Sequence, residues 1–421
     1  MPKIDLKKIA IIILFVIIVG LLGYLLYIVF LKPAAPPTNV NIPPEVITPG
    51  LPTAPGGVPT IPGEVIPPTG LPGAPGVIGI PTTSTVPTAG PRIQTSAQGG
   101  LVLPKTIVAQ NAQNPTLSAN GTDLNYYDKD TGYFYRITPD GTQELLSDKA
   151  FRNVDAVTWS KNSQQAVLEY PDGSNIVYNF QTKEQTTLPA QWKDFDFSTD
   201  SSQLVFKDMK VDPENRWLAI ADANGQNKQL IEQLGDKDAD VYPAWSPDNK
   251  VAALYREGYD LARSKVYFVG FHGENFKSAL VEGRDLRFKY SPQGAKLLYS
   301  VYTPADDYKP NLWITNAQGD LIDSARTRLE LNTWADKCTF GDSITLYCAV
   351  PKEIAKYAGL NSSLNDNIAD NIYKIDISTM QKTLIAEPLF GSAINELIVS
   401  ADQKYLYYTD KKTGAVKKID L

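Results

Sequence analysis

Histidine is nearly missing from this chain: among 421 residues there is one, His272. That excludes any site needing two imidazoles, the His-Glu-x-x-His zinc helix included. A Ser-His-Asp triad would have to use His272, yet no nucleophile elbow supplies a serine, and no phosphate-binding loop is present. His272 falls in a predicted turn and reads as a solvated surface residue. Cysteine is equally scarce, with only Cys338 and Cys348. Excess positive charge is absent too: 40 Lys and Arg against 46 Asp and Glu leave a net charge of −6. Neither nucleic acid nor an anionic membrane surface is therefore an expected partner of the folded part. Long amphipathic helices are lacking beyond the N-terminal region.

Carboxylates alternate in Asp236-Lys-Asp238-Ala-Asp240 and in Asp128-Lys-Asp130-Thr-Gly132. A calcium loop of the EF-hand kind needs Gly at its sixth place and Glu at its twelfth. In the first run those places hold Val241 and Pro247. Both runs read as solvated loops, so no metal and no cofactor is expected, and no catalytic residue is assigned.

What the chain does have begins at the N-terminus. Residues 9–31 carry no charge and are rich in Ile, Leu, Val and Phe. As a helix the stretch would span roughly 34 Å, enough for a hydrocarbon core of about 30 Å. It is longer than the apolar part of a cleaved signal, and Lys32-Pro33-Ala34-Ala35 makes a poor cleavage site. A retained single-pass anchor is the expectation. Lys3, Lys7 and Lys8 precede it and only Lys32 follows closely. The positive-inside rule then puts the short tail, residues 1–8, in the cytoplasm and the C-terminal bulk outside.

Residues 32–104 have another composition. Eighteen of the 31 prolines lie between 33 and 104, where the only charges are Glu45, Glu64 and Arg92. Such a tract cannot bury enough apolar area to form a core, and its prolines favour extended polyproline II. Residues 42–56 are echoed by 61–76, as in Ile42-Pro-Pro-Glu-Val-Ile and Ile61-Pro-Gly-Glu-Val-Ile. Gly does not recur every third residue, so a collagen helix is excluded. A stalk is favoured over a ligand for a proline-binding module.

From 105 to 421 short apolar or alternating runs rich in Tyr, Val, Ile, Leu and Phe are separated by Gly, Asn, Asp, Pro and Ser. That is the pattern of strands and tight turns. One unit recurs: a strand ends near a Ser, a turn follows, and a second strand begins. The turn marker falls at Ser118, Ser160, Ser198, Ser246, Ser291, Gly341 and Ser400. A second hairpin sits in each unit, with turns such as Pro139-Asp-Gly141 and Ala223-Asn-Gly225. Units of 40 to 50 residues with four strands are propeller blades. The fold class is all-β, a seven-bladed β-propeller. The last unit stops at a third strand near Ile419, and Lys105-Thr-Ile-Val108 is expected to supply its fourth.

The run Asp240-Val-Tyr-Pro243-Ala-Trp245-Ser246-Pro247-Asp248-Asn249 resembles the core of the TolB-type propeller repeat, also called the WD40-like or PD40 repeat. There the pattern is Asp, two residues, Pro, one residue, then Trp-Ser-Pro-Asp-Gly. Asn249 takes the Gly place, and Asn tolerates left-handed φ. Ser291-Pro292-Gln293-Gly294 matches more weakly. The resemblance covers about 105–421 and implies fold, not partner. TolB carries an extra α/β domain where this chain has its proline-rich tract.

Cys338 and Cys348 flank the shortened first hairpin of the sixth unit. Outside a membrane such an isolated pair is a candidate disulfide; in a reducing compartment it would be two core thiols. The connections between second and third strands read as long in the middle of the ring: 207–216, 256–265, 302–311 and 350–371. The last contains a candidate short helix, Glu353–Ala358. All emerge on one face, and Arg256, Tyr259, Arg263, Tyr302, Asp307, Tyr308 and Tyr357 give it the aromatic and charged character of an interface. The favoured function is thus non-catalytic: a propeller displayed outside the membrane that binds a protein or cell-envelope component. The alternative is a propeller enzyme that acts on cell-envelope polysaccharide through carboxylates of the central channel.

Overall fold

The computed structural model describes Leu21, residues 102–388 and residues 393–421. The tail, nearly all of the 9–31 segment and the proline-rich tract up to residue 101 lie outside the described residues. Among the described residues, no helix is long and apolar enough to cross a membrane.

The described residues form seven antiparallel four-stranded sheets, each a blade of a β-propeller. In six of them the strands follow one another in chain order, as in Ala112–Leu117, Leu124–Asp128, Phe134–Ile137 and Gln143–Leu145 of blade 1. Blade 7 joins both ends of the ring. Its strands Ile394–Val399, Tyr405–Asp410 and Val416–Asp420 are completed by Lys105–Val108, which pairs with Val416–Asp420. First strands of neighbouring blades touch one another, so they form the inner wall of the ring. The seam is closed by further bonds from blade 7 to blade 1, including Ala401 N–H to the Gly121 carbonyl at 2.7 Å and Tyr407 Oη–H to the Thr122 carbonyl at 2.7 Å.

The recurring serine has a physical job. Ser118, Ser160, Ser198, Ser246, Ser291 and Ser400 are all buried. In blade 4 the Ser246 hydroxyl donates to Asp248 at 2.6 Å and accepts the Val251 N–H at 2.9 Å. The same pair of bonds recurs at Ser160, Ser198 and Ser400, with Asn162, Asp200 and Asp402 as acceptors. Three residues after each of these six serines the backbone is left-handed, at Gly121, Ser163, Ser201, Asn249, Gly294 and Gln403. That is why the repeat wants Gly or Asn there. Gly121 is doubly constrained, since a Cβ would come 2.7 Å from the Ala401 Cβ across the seam. Blade 6 departs: Gly341 stands in the serine place and the Asp342 carboxylate takes the Ile344 and Thr345 N–H groups instead.

Successive turns also clasp one another, as where Asn162 N–H donates to Ser201 Oγ at 3.1 Å and Gln403 Nε2–H to Asp342 at 3.2 Å. Between blades lie apolar layers. One packs Phe134, Phe151, Tyr178 and Phe180 edge to face, with centroids 4.7 to 5.8 Å apart. Such pairs add about 0.5–1.5 kcal/mol each beyond area burial. Cys338 and Cys348 oppose each other directly across the first hairpin of blade 6 and are joined as a disulfide.

Ser246→Ala leaves the buried Val251 N–H without its acceptor. It is expected to lower unfolding free energy by about 1–3 kcal/mol, read by denaturant titration. An unchanged midpoint would remove the serine from its structural role.

Candidate binding face and inner wall

Strands alternate in direction, so the connections between second and third strands, and those between blades, emerge on one face. The serine turns and the outer hairpins emerge on the other. The elaborated face is less uniform than its sequence suggests. In blade 4 the strands run on to Gly258 and restart at Ser264. The connection 259–263 is thus no longer than 170–174 in blade 2 or 411–415 in blade 7. Elaboration is confined to 209–216, 303–309 and 352–369 in blades 3, 5 and 6. The helix expected at Glu353–Ala358 is absent, because Tyr357 has φ of 68° and stops any helix there. A single 3-10 turn lies further on, at Ser362–Asn365, where Asn361 accepts the Ser363 N–H.

Three of the tyrosines singled out from the sequence meet across blades 5 and 6. The Tyr302 and Tyr308 ring centroids are 6.0 Å apart, and those of Tyr308 and Tyr357 are 5.4 Å apart. Their loops are tied by backbone: Tyr357 N–H donates to the Asp307 carbonyl at 2.9 Å, and Gly359 N–H to the Tyr308 carbonyl at 2.7 Å. Asp307 and Tyr308 are both left-handed, each with φ of 56°. Non-glycine residues in this region cost of order 1–3 kcal/mol and persist only where their surroundings impose them. Here the imposing contacts come from Asp306, whose carboxylate accepts from Thr303 at 3.1 Å and from Asn311 at 2.9 Å. Gly359 makes the two loops fit: a Cβ there would lie 2.6 Å from both the Tyr302 Cβ and the Tyr308 carbonyl oxygen. Tyr357 remains 45 % exposed. Lys356 and Lys309 pair with Asp307 at 3.2 and 3.9 Å, exposed pairs that add little stability.

The four other candidates lie alongside or within this strip. Asp307 sits inside it. Arg256 donates to Asp240, the first residue of the repeat pattern. Arg263 stacks on Tyr259 at 5.1 Å and pairs with Asp260 at 2.6 Å, leaving Tyr259 58 % exposed. The link to the tyrosines is Arg284, which the sequence did not single out. It donates to the Asp260 carbonyl at 3.1 Å and stands opposite Tyr302 across the strand pair. Burial pushes the Tyr302 hydroxyl up, Asp285 adds to that, and Arg284 and Arg256 oppose it. Nothing in the local sequence marked Arg284, because its neighbours come from the 259–263 connection and from the strand paired with its own.

The acidic runs are structural. Gly235–Asp240 is a 3-10 turn in which Asp238 pairs with Arg216 at 3.0 Å. Asp128 accepts the Asp130 N–H at 2.9 Å and closes its own turn. Among the described residues no group of three His, Cys, Asp or Glu side chains could hold a metal ion.

The inner wall holds several titratable groups. Burial pushes the Glu396 carboxyl up to about 7, against the opposing pull of Lys289. Burial lowers Lys289, whose ammonium donates to the Cys338 carbonyl at 2.7 Å. Away from that wall, at the end of the second strand of blade 2, burial, then Asp194, raises Glu169, with Lys193 opposing, and Asp194 is itself paired with Lys207 at 2.7 Å. Between blades 6 and 7, Lys337 bonds both oxygens of buried Asp370 at 2.6 and 2.7 Å, and Asp370 also accepts the Ile394 N–H at 2.6 Å. That arrangement is a clamp between blades rather than an accessible site.

No protein-family model and no curated protein matches the chain. Among solved structures it is similar to an oligogalacturonate lyase in complex with manganese, at 12 % identity over 75 % of this chain and 90 % of that one, TM-score 0.49. It is similar to Kuenenia stuttgartiensis hydrazine synthase at 14 % identity over 74 % and 96 %, TM-score 0.48. It is similar to the β-propeller domain of Cps50 (Swd1) from Myceliophteria thermophila at 9 % identity over 75 % and 98 %, TM-score 0.49. The similarity in each case is one of backbone shape.

Two outcomes follow from this geometry. Gly359→Ala forces Tyr302 and Tyr308 apart and is expected to cost about 1–3 kcal/mol, read by thermal unfolding, and to raise tyrosine exposure; an unperturbed tyrosine spectrum would refute the packing. Glu396 keeps its proton in the folded chain up to about pH 7 but releases it near 4.5 when unfolded. The native state thus holds more protons between those values, and stability falls as pH rises through that window. Glu396→Gln removes the effect, so the variant is expected to gain stability over the wild type above about pH 7 and to match it below about 4.5. Parallel unfolding midpoints across that range would contradict this.

Proposed function

We propose that the ring is a non-catalytic recognition module that takes a protein or cell-envelope component on the Tyr302–Tyr308–Tyr357 strip and its arginine-bearing flank. In this reading residues 9–31 anchor the chain in a membrane, 32–104 form the stalk, and the propeller is displayed outside. The length and apolarity of 9–31 and the lysines before it support that topology. The resemblance of Asp240–Asn249 to the TolB-type repeat is compatible with such a place.

The observation that carries the reading is the pair of left-handed residues, Asp307 and Tyr308, held by contacts from two blades. Strained residues cluster at functional sites, and loops already ordered before binding lower the entropy cost of taking a partner. Tyrosine and arginine are the residues that anchor interfaces. Catalysis by paired carboxylates is less well supported, because the only charge acting on Glu396 is Lys289 and Asp194 beside Glu169 is neutralised by Lys207.

A photo-crosslinking residue placed at position 357 in cells of the source organism is expected to give a discrete adduct with one partner. Replacing Tyr302 and Tyr308 together by Ala is expected to abolish it. The same residue at position 181, in an outer hairpin turn on the opposite face, is expected to give no such adduct. Equal adducts from both positions, or none from position 357, would overturn the assignment.

A further inference from the structure

A second surface lies at the outer rim of the ring, between blades 3 and 4. Blade 3 ends in Gln229–Gln233, which pairs with Trp217–Asp222 on one side and with no described strand on the other. Blade 4 ends in Ala279–Val281, only three residues long. That strand covers Ser264, Lys265 and Val266 and leaves 267–270 uncovered, apart from a bridge between Val269 and Asn275. The missing length opens a groove of about 400 Å³ beside the free edge of blade 3.

The groove has an ordered apolar wall. Tyr255 and Tyr267 stack with centroids 5.6 Å apart, and both hydroxyls donate to Glu257, at 3.4 and 3.0 Å. Lys237 lies over the Tyr255 ring at 5.2 Å and pairs with the same Glu257 at 3.7 Å. Ile231, Val269 and Phe276 complete the lining, each half-buried with one side packed on the core. Glu232 and Glu274 stand exposed at its margin. With Glu257 that makes three carboxylates against the one ammonium of Lys237, a local charge of −2.

We infer that this groove takes an extended segment of a partner protein, added to Gln229–Gln233 as a fifth strand of blade 3. A strand edge offers N–H and carbonyl groups at the spacing of another backbone, which a peptide matches and a sugar or nucleotide does not. Alternate side chains of the added strand point to one side, where the tyrosine wall and Phe276 receive an apolar one. The negative margin favours Lys or Arg beside it and disfavours an acidic segment. The site is independent of the tyrosine strip, which joins blades 5 and 6.

The test pans a phage library of random dodecapeptides against the full chain in detergent micelles and titrates the enriched sequences as synthetic peptides by calorimetry. They are expected to carry an apolar residue beside Lys or Arg. Tyr267→Ala is expected to weaken them about tenfold or more, as loss of an aromatic anchor does, and Tyr267→Phe to keep their affinity. Glu232→Lys is expected to weaken them several-fold, and Gln181→Ala, on another blade, to leave them unchanged. Methylating alternate backbone nitrogens of the peptide is expected to abolish binding, because an added strand then loses its bonds to the edge. No enrichment, an enriched set that ignores Tyr267→Ala, or peptides that tolerate methylation at every backbone nitrogen would overturn the inference. So would binding in this groove of a synthetic peptide of residues 42–76, which would make the occupant the chain's own. None of these outcomes moves the crosslink at position 357, so the two assignments fail separately.

Discussion

The structure depends on a hydroxyl buried at the mouth of a hairpin. A serine at the end of the first strand must bring a polar oxygen into an apolar layer, and that is tolerable only if the oxygen is fully bonded. Ser160, Ser198, Ser246 and Ser400 meet the condition by donating forward to an Asp or Asn two residues on and accepting an N–H five residues on. The bond to the fifth residue sets the register of the next strand. The left-handed residue between them turns the chain back at a fixed angle. Repeated around the ring, this turn makes neighbouring hairpins alike enough to interlock, and the interlocked turns form one rigid face.

That rigidity frees the opposite face. Its connections between second and third strands take no part in the serine turns, so they can be long in blades 3, 5 and 6 and can carry unfavourable backbone. Asp307 and Tyr308 stay left-handed because Asp306 is bonded on both sides and because the 352–369 connection is tied to them by two backbone bonds. The three tyrosines are therefore ordered by covalent chain that belongs to different blades.

Not all of this was legible beforehand. The repeat was, because a serine turn every 38 to 59 residues leaves a trace in one dimension. The closing strand was too, since Lys105–Val108 looks like the fourth strand of a blade that has none after Ile419. The arc of elaborated connections was read from loop length, and that signal fails where a strand outlasts its apolar pattern, as at Arg256–Gly258. The helix expected at Glu353–Ala358 failed because good local propensity yields to a tertiary tie: Tyr357 gives its N–H to Asp307 of another blade. Arg284 and Glu396 could not be found, since a lone charged residue on a strand has no sequence signature for what faces it.

By itself, the sequence determined the number of blades, the order of their strands and the manner of closure, and with one histidine it excluded a site built on two imidazoles. All are carried by local patterns: period-two alternation, turn residues with left-handed φ, and counts. The tertiary structure alone decided which side chains become neighbours. Tyr357 is brought to Tyr302 and Tyr308, Arg284 reaches Asp260 and stands opposite Tyr302, and Glu396 lies within the field of Lys289. Those relations run between residues distant in sequence. They follow from the angle between blades and the strain each connection can hold, and neither quantity is written in any short stretch of residues.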